Sequence, residues 1–276
     1  MCGIFAYVGH QSIPITKAIR VLGILETEQE PGEPTPVGGH GAGIAYLNPK
    51  DKFTLVKVGK TQRISPVRDL KQRLPNLSKA RSQVILGHVR RASPEFTATT
   101  SHAECTQPYK PQCTHDLNIL SAHNGKIHNY QELKTQLAKP HKFESQEIKL
   151  IDSEVIPHLL EEQLSKTTDT TKAIHTLFDK TEGTATQGNT IIVLLLDKGK
   201  PQLHAIQKGK SRGLTIWTNS KGETLLCSRE KPVQTAFSKF LNENKFQKII
   251  HLTRNDAANL EAHFTVTLNQ HTQTSR

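Results

Sequence analysis

The first residues of the chain place a thiol where it can act as a nucleophile. The sequence begins Met1-Cys2-Gly3-Ile4-Phe5, and removal of Met1, usual before a small side chain, leaves Cys2 with both a thiol and a free α-amine. An α-amine with a pKa of about 8 can take the thiol proton directly or through one water, so one residue supplies a nucleophile and its base. The alternative interpretation is an ordinary buried cysteine in an N-terminal strand.

Three further groups have the chemistry that such a nucleophile needs. Asn124 and Gly125 end a buried strand, and a side-chain amide beside a glycine N–H is suited to an oxyanion hole, with a simple hairpin turn as the alternative. Arg90 ends another buried strand and can bind a carboxylate through two parallel hydrogen bonds. Asp152 begins a helix and can bind an ammonium group. A structural ion pair or a helix cap is the alternative for these two charged residues.

Composition limits the class of protein. The chain has 276 residues, of which 35% are hydrophobic, as in a globular protein with one large or two small domains. No apolar run approaches the roughly 18 residues of a membrane-spanning helix, and the N-terminus has neither the basic region nor the length of a signal peptide. The four cysteines are too few and too scattered for a disulfide framework. We therefore predict a cytoplasmic protein.

The net charge of +11 is compatible with nucleic acid, an anionic substrate or an acidic protein partner. Lysine and arginine are spread along the whole chain, and aromatic residues make up only 5% of it. No Gly-rich or aromatic-interleaved RNA-binding motif is present. These features favour an anionic substrate or an acidic partner, and we predict no nucleic-acid binding.

Apolar periodicity predicts the elements that position these residues. Strands are expected at 2–8, 44–47, 53–58, 83–89, 117–122, 190–196, 202–206, 214–218, 224–227, 248–252 and 264–266. Helices are expected at 15–28, 67–74, 173–178 and 233–241. Two more helices are expected, one after Asn129, which can cap it, and one that begins at Asp152. A turn is expected at 9–12 and a Pro- and Gly-rich loop at 30–43. The pattern predicts one α+β domain over residues 1–268, with two sheets between helices, and a disordered tail at 269–276.

Four motifs in this order resemble the class II glutamine amidotransferases, and in particular the glutaminase domain of glucosamine-6-phosphate synthase. The motifs are the N-terminal Met-Cys-Gly-Ile-Phe-Ala-Tyr, then Gly87-His88-Val89-Arg90, His123-Asn124-Gly125 with Asn129 downstream, and Asp152-Ser153-Glu154-Val155-Ile156. Order and spacing agree from Cys2 to about Leu160, and a weaker similarity continues to about Leu252.

The resemblance implies the four-layer αββα sandwich of the N-terminal nucleophile hydrolases. It implies Cys2 as the nucleophile, Asn124 and Gly125 as the oxyanion hole, Arg90 as the clamp on the glutamine α-carboxylate and Asp152 as the anchor for its α-amine. Glutamine would be hydrolysed through a γ-glutamyl thioester, and the ammonia would pass, shielded from solvent, to an acceptor site. No cofactor and no metal is implied.

Two segments depart from the family pattern. Arg90-Arg91-Ala92-Ser93-Pro94 stands where the family has Arg-Trp-Ala-Thr-His, so that Ser93 keeps a substrate-binding hydroxyl while one wall of the pocket changes. Residues 38–43 lack the acidic residue of the family's Arg-Gly-x-Asp-Ser-Ala-Gly. No synthase, isomerase or phosphoribosyltransferase domain follows in this sequence, which predicts a separate ammonia-accepting subunit.

Other interpretations remain open at this level. The same fold can serve as a non-catalytic regulatory or binding module, or as an N-terminal nucleophile amidase for another amide. Residues 209–213 match the Gly-x-Ser-x-Gly elbow of serine hydrolases, but that elbow opens a helix and a strand is expected here. A zinc site is conceivable at His102, Cys105, Cys113 and His115, although their spacing is not that of common zinc sites.

Overall fold

The secondary structure follows the apolar pattern of the sequence. The computed structural model describes residues 2–29, 33–111, 113, 118–138, 141–183, 187–197 and 199–268. Within these ranges the strands are β1 Gly3–Pro14, β2 Gly41–Leu47, β3 Phe53–Gly59, β4 Arg81–Arg90, β5 Asn118–Gly125, β6 Asn189–Asp197, β7 Lys200–Thr218, β8 Thr224–Cys227 and β9 Gln247–Thr265. The α-helices are α1 Ile15–Thr27, α2 Pro66–Arg73, α3 Tyr130–Thr135, α4 Val155–Lys166, α5 Thr170–Lys180 and α6 Glu230–Glu243. None of these helices has the length and apolarity needed to span a membrane.

Local sequence explains where the helices begin and which face they bury. In α1 the residues Ala18, Leu22 and Leu25 recur every three or four positions and are fully buried. In α2 the Ser65 hydroxyl accepts a hydrogen bond from the Arg68 N–H, and Pro66 stands in the first turn, where its missing N–H is not needed. Each helix therefore presents one apolar stripe to a sheet.

Three expectations about element boundaries were wrong. Strand β1 continues through residues 9–12, where a turn was predicted, because a register shift between Val8 and Ile13 absorbs the polar residues. Strands β7 and β9 are single 19-residue strands rather than two short strands each, since their polar middle parts pair with one another. Asn129 precedes α3, but its side chain bonds Lys180 O and the Glu182 N–H instead of capping the helix. Residues 1, 117 and 269–276 lie outside the described ranges.

The strands form one curled antiparallel sheet rather than two separate sheets. Their order is β3-β2-β4-β1-β8-β7-β6-β5, with β9 alongside β7. The first half of β7 pairs with β6 and its last residues pair with β8, with positive φ at Gly209 and Gly213 between the two parts. Because glycine adopts positive φ without strain, β7 can pass from one half of the sheet to the other.

The buried side chains divide this curled sheet into two layers that face each other. Residues Ile4, Ala6, Leu120 and Leu194 belong to an apolar cluster between the layers. A second cluster lies between one layer and helices α1, α2 and α6, and a third lies between the other layer and helices α3, α4 and α5. The order helix, sheet, sheet, helix confirms the predicted four-layer αββα sandwich.

This topology brings the ends of three strands together. Strand β1 lies between β4 and β8, and its first residue, Gly3, is paired with Val89. Cys2 therefore stands beside the end of β4, at Arg90 and Arg91. Strand β5 belongs to the facing layer and ends at Gly125. The candidate nucleophile and the candidate oxyanion hole thus come from opposite layers.

A pair of glycine substitutions tests this packing. A Cβ at Gly43 in β2 would lie 2.2 Å from the Gln107 carbonyl oxygen, so Gly43→Ala should lower the free energy of unfolding by about 1–3 kcal/mol. A Cβ at Gly23 in α1 would lie 3.8 Å from Val67, so Gly23→Ala should raise it by about 0.5–1 kcal/mol. Urea denaturation measures both, and wild-type stability for Gly43→Ala would contradict the close contact.

Candidate active site

The thiol of Cys2 lies against the backbone of Arg91. The sulfur is 3.4 Å from the Arg91 backbone nitrogen, which donates to it, and 3.5 Å from the Arg91 carbonyl oxygen. The Cys2 backbone nitrogen is 3.3 Å from Asn124 Oδ1, and the residue is half-buried. The nucleophile predicted from the sequence is therefore fixed at two atoms by residues from both layers.

The side-chain amide of Asn124 has one end occupied and one end spare. Asn124 is 2% exposed, and its Oδ1 accepts the hydrogen bond from the Cys2 nitrogen. Its Nδ2 is buried and has no hydrogen-bond partner among the described residues. Buried polar groups are nearly always satisfied, so a spare N–H donor on a residue that contacts Cys2 indicates a place where a ligand oxygen binds.

Gly125 is required at its position by the backbone and by its neighbours. Its φ is +155°, and a Cβ there would lie 2.4 Å from the Gly188 carbonyl oxygen. The residue that follows is held by a hydrogen bond of 3.1 Å from the Lys126 N–H to Asn189 Oδ1. A larger residue at position 125 would displace the end of β5 and Asn124 with it.

A buried hydrogen-bond network holds the end of β5 in place. His123 Nδ1 is 2.9 Å from Ser153 Oγ, and His123 Nε2 is 2.9 Å from Asn189 Oδ1. Gln107 donates to the His123 carbonyl oxygen at 3.2 Å and to Ser153 Oγ at 3.1 Å. Burial lowers the pKa of His123, which keeps the ring neutral. This support could not be predicted from the sequence, because Gln107 lies outside the motifs.

Arg90 is a buried cation that has no carboxylate partner among the described residues. It is 4% exposed, and its Nη1 and Nη2 donate to the carbonyl and hydroxyl oxygens of Thr99 at 3.0 and 2.6 Å. In the described part of the chain, no carboxylate oxygen lies within 4.0 Å of its guanidinium. Charged side chains are rarely buried without a counter-charge, so the site is suited to an anionic ligand.

Asp152 is a buried carboxylate, opposite in charge to Arg90. It is 7% exposed, and its Oδ2 accepts a hydrogen bond of 2.9 Å from the Ile127 N–H. Over the ranges that the structure describes, no lysine, arginine or histidine nitrogen lies within 4.0 Å of its carboxylate. Arg90 and Asp152 do not pair with each other. A zwitterionic ligand would provide a counter-charge for both.

Ser93 lies at the start of a short 3-10 helix, Pro94–Thr99, and is half-buried. An ion pair of 2.7 Å joins Glu95 in that helix to Lys126, the residue after Gly125, and it lowers the pKa of Glu95. A cleft of about 650 Å³ opens beside the pair, lined by Glu95, Lys126, His128, Asn129, Tyr130, Gln131, Glu132 and Glu182. The loop of Ser93 and the end of β5 are thus joined across the mouth of this cleft.

The two segments that depart from the family pattern contact each other. Arg91 Nη1 is 3.1 Å from His40 Nε2, and Arg91 Nε donates to the Pro36 carbonyl oxygen at 3.1 Å. The Ala92 N–H donates to His40 Nδ1 at 3.1 Å. The Arg91 side chain therefore ties the 36–40 loop to the strand end that holds Cys2. Burial, followed by the charge of Arg91, lowers the pKa of His40 to about 4.

A second group of cations lies on β7 and β9. A cavity of about 180 Å³ is lined by Gln187, Lys210, Ser211, Arg212, Arg254 and Asn255. Glu33, which is 5% exposed, pairs with Arg229 at 2.8 Å and with Arg254 at 3.4 Å. The Gly-x-Ser-x-Gly segment runs inside β7, and Ser211 Oγ accepts a hydrogen bond from the Gly213 N–H. Because no helix follows Ser211, the serine-hydrolase alternative is wrong.

Comparisons with known sequences point to one family. A family model described as a glutamine amidotransferase domain matches residues 59–188. Glutamine-fructose-6-phosphate aminotransferase of Helicobacter pylori is 31% identical over 205 residues, which cover 74% of this chain and 28% of that protein. Amidophosphoribosyltransferase of Methanocaldococcus jannaschii is 31% identical over 185 residues, which cover 66% of this chain and 34% of that protein. The chain spans about a third or less of the length of these relatives.

Solved structures agree with the fold. Glutamine phosphoribosylpyrophosphate amidotransferase from B. subtilis, complexed with ADP and GMP, matches with a TM-score of 0.60 and 20% identity. A structure described as the allosteric regulatory enzyme of purine biosynthesis matches with a TM-score of 0.62 and the same identity. Each match covers 97% of this chain and 50% of the other. The four-layer arrangement is thus that of known amidotransferases.

Protonation of His40 should loosen the 36–40 loop in acid. A neutral imidazole has one lone pair for the two N–H donors that face it, and an imidazolium has none. Because the folded-state pKa is about 4, below the usual 6.5, the stabilising contribution is complete above pH 6.5 and is lost as the pH falls toward 4. The stability difference between wild type and His40→Gln should therefore shrink over this range.

Thermal unfolding of both proteins between pH 4 and pH 8 measures that difference, and other buried histidines cancel from it. His175→Gln is the control with the opposite sign, because an ion pair with Glu261 raises the pKa of the exposed His175. Its stability difference should be small and should fade as the pH rises. A pH-independent difference for His40→Gln would contradict the account.

Proposed function

The chain carries a glutamine amidotransferase domain of class II, and from this premise we propose that it hydrolyses the side-chain amide of glutamine through a thioester on Cys2. The observation that carries the proposal is the spare, buried N–H of Asn124, a residue whose Oδ1 contacts the Cys2 backbone nitrogen. The alternatives of a non-catalytic module or of an amidase for another amide are outcomes of the experiments below.

The first step is attack of the Cys2 thiolate on the carbonyl carbon of the amide. With Met1 removed, the Cys2 nitrogen is an amine whose lone pair takes the thiol proton, while one of its N–H bonds still reaches Asn124 Oδ1 at 3.3 Å. That proton then passes to the leaving nitrogen, so ammonia departs as the thioester forms. Water adds to the thioester carbonyl, the sulfur leaves, and glutamate is released.

The oxyanion of each tetrahedral intermediate is bound by Asn124 Nδ2–H and the Gly125 N–H. These donors are useful only if they are fixed before the reaction begins. The network of His123, Gln107 and Ser153 supports this requirement, since it holds the end of β5 by buried hydrogen bonds. The hydrogen bond to Asn124 Oδ1 keeps the Nδ2 side of the amide free for substrate.

Arg90, Asp152 and Ser93 bind the α-amino acid part of glutamine. Arg90 presents a buried guanidinium to the α-carboxylate, and Asp152 presents a buried carboxylate to the α-ammonium. Two of the five guanidinium N–H groups are used by Thr99, which leaves donors for a carboxylate. The hydroxyl of Ser93 adds a hydrogen bond on the same loop.

Ammonia produced at Cys2 passes to an acceptor site on a separate synthase subunit. The net charge of +11 favours a partner with an acidic surface. We place the protein in the cytoplasm, which agrees with its few and scattered cysteines.

Removal of the Asn124 side chain should lower kcat without a comparable effect on KM. Loss of one oxyanion donor costs about 10²–10³-fold in kcat, so Asn124→Ala should fall in this range in a glutamate-release assay. Asn129→Ala is the matched control, because both ends of its amide are used by Lys180 and Glu182 outside the proposed hole. Wild-type kcat for Asn124→Ala would exclude the assigned role.

Substrate analogues test the clamp one charge at a time. 4-Aminobutanamide lacks the α-carboxylate, so wild type should prefer glutamine over it by about 10- to 100-fold in kcat/KM, the value of one charge-assisted hydrogen-bonded contact. Arg90→Gln should lose most of this preference. 4-Carbamoylbutanoate lacks the α-amine, and wild type should prefer glutamine over it as well. Here Asp152→Asn, rather than Arg90→Gln, should lose most of the preference for glutamine. If both variants lost the preference for glutamine over both analogues to the same extent, the substitutions would have disturbed the site as a whole and the assignment of a clamp would be contradicted.

A further inference from the structure

A second cluster of reactive side chains lies outside the candidate active site, around helix α4. It consists of Cys113, in the segment before β5, His141, in the segment after α3, and His158 and Glu161 on α4. One ligand atom from each of the four lies within 4.8 Å of the others. The geometry points to a tetrahedral Zn²⁺ site with these four residues as its ligands.

Four of the six ligand-atom distances in the cluster lie close to the edges of a tetrahedral zinc site. His141 Nδ1 and His158 Nδ1 are 3.3 Å apart, and Cys113 Sγ is 3.5 Å from His158 Nδ1. Glu161 Oε2 is 3.4 Å from His141 Nδ1 and 3.8 Å from His158 Nδ1. With Zn–N of about 2.0–2.1 Å and Zn–S of about 2.3 Å, a regular tetrahedron has edges of about 3.3–3.6 Å.

The chemistry of the donors also favours zinc. His158 Nδ1 faces both His141 Nδ1 and Cys113 Sγ, and each of these two contacts can share only one proton. A thiolate, two neutral imidazoles and a carboxylate are ligands that Zn²⁺ accepts. One thiolate and one carboxylate balance the charge of the ion, so the filled site is neutral and can be buried without a further counter-charge.

The surroundings orient the ligands as in known metal sites. The Lys142 N–H donates to Cys113 Sγ at 3.3 Å, and the Cys113 N–H donates to Glu161 Oε1 at 3.2 Å, so that Oε2 faces the histidines. Behind the rings, Glu162 Oε2 is 3.8 Å from His141 Nε2, and Glu154 Oε1 is 4.0 Å from His158 Nε2. Both distances exceed a hydrogen bond, so these carboxylates act on the rings as nearby negative charges, which favour a proton on Nε2 and leave the Nδ1 lone pairs for a metal.

The site has a structural role rather than a catalytic one. The side chains of His141, His158 and Glu161 are 3%, 2% and 0% exposed, and four protein ligands leave no open coordination position. The ion joins the segments at 113 and 141 to α4. That helix follows directly from Asp152, which we assign to substrate binding, so the metal would also steady one side of the clamp.

The zinc site that was considered from the sequence has only Cys113 in common with this cluster. His102 and Cys105 do not belong to the cluster, and His115 lies outside the described residues. The informative signal was the pair His158 and Glu161, three positions apart on one face of a helix, which is a common spacing for two ligands.

Metal analysis of the full-length protein tests the proposal without any need for glutamine turnover. Protein purified without a metal-affinity tag should contain about one zinc per chain by mass spectrometry after dialysis. Co²⁺ added to chelator-stripped protein should give visible d–d bands with tetrahedral intensity and a thiolate charge-transfer band. Cys113→Ala should abolish the charge-transfer band and lower Zn²⁺ affinity by more than about 100-fold, beyond the loss typical of outer residues.

His102→Gln and Cys105→Ala are the matched controls, and both should keep about one zinc per chain. Folded wild type that holds no zinc and gives only the spectrum of aqueous Co²⁺ would overturn the proposal. Unchanged zinc content in both Cys113→Ala and Glu161→Gln would overturn it as well. The wild-type cobalt spectrum decides the matter even if a variant does not fold.

Discussion

The register of β1 against β4 is the constraint on which the candidate site depends. Gly3 pairs with Val89, so the residue before the strand meets the Arg91 backbone. Ile4 faces the core between the two sheet layers, while Phe5 faces the core beneath the helices. A shift of one residue would exchange these faces, so the apolar pattern of β1 fixes the position of the thiol.

Two buried charges that have no counter-charge among the described residues connect this geometry to the proposed substrate. Arg90 and Asp152 are held by Thr99 and the Ile127 N–H rather than by each other. Such an arrangement is unfavourable in the empty protein and would become favourable on binding of a zwitterion, so under the proposed function binding energy would be directed to the placement of the reacting amide. The spare N–H of Asn124 fits this proposal, since it would gain a partner when substrate binds.

The sequence was sufficient for the layers and for residues in short motifs, because apolar periodicity and local spacing report directly on strands, helices and chain ends. Cys2, Asn124 and Gly125 were predicted in this way, and the fold brings Cys2 into contact with Asn124. Contacts between distant segments were not found: His40 with Arg91, Thr99 with Arg90, and the four residues of the zinc cluster come together only in the fold. The long strand β7 was predicted as two, since its glycines and charged residues resemble a turn.

We propose that Cys2, as the N-terminal residue, is the nucleophile for glutamine. The mass of the N-terminal peptide after incubation with an electrophilic glutamine analogue tests this role most directly. We expect a peptide that begins at Cys2, carries one adduct and loses the adduct when excess glutamine is present. A peptide that retains Met1, or one that begins at Cys2 and stays unmodified, would contradict it.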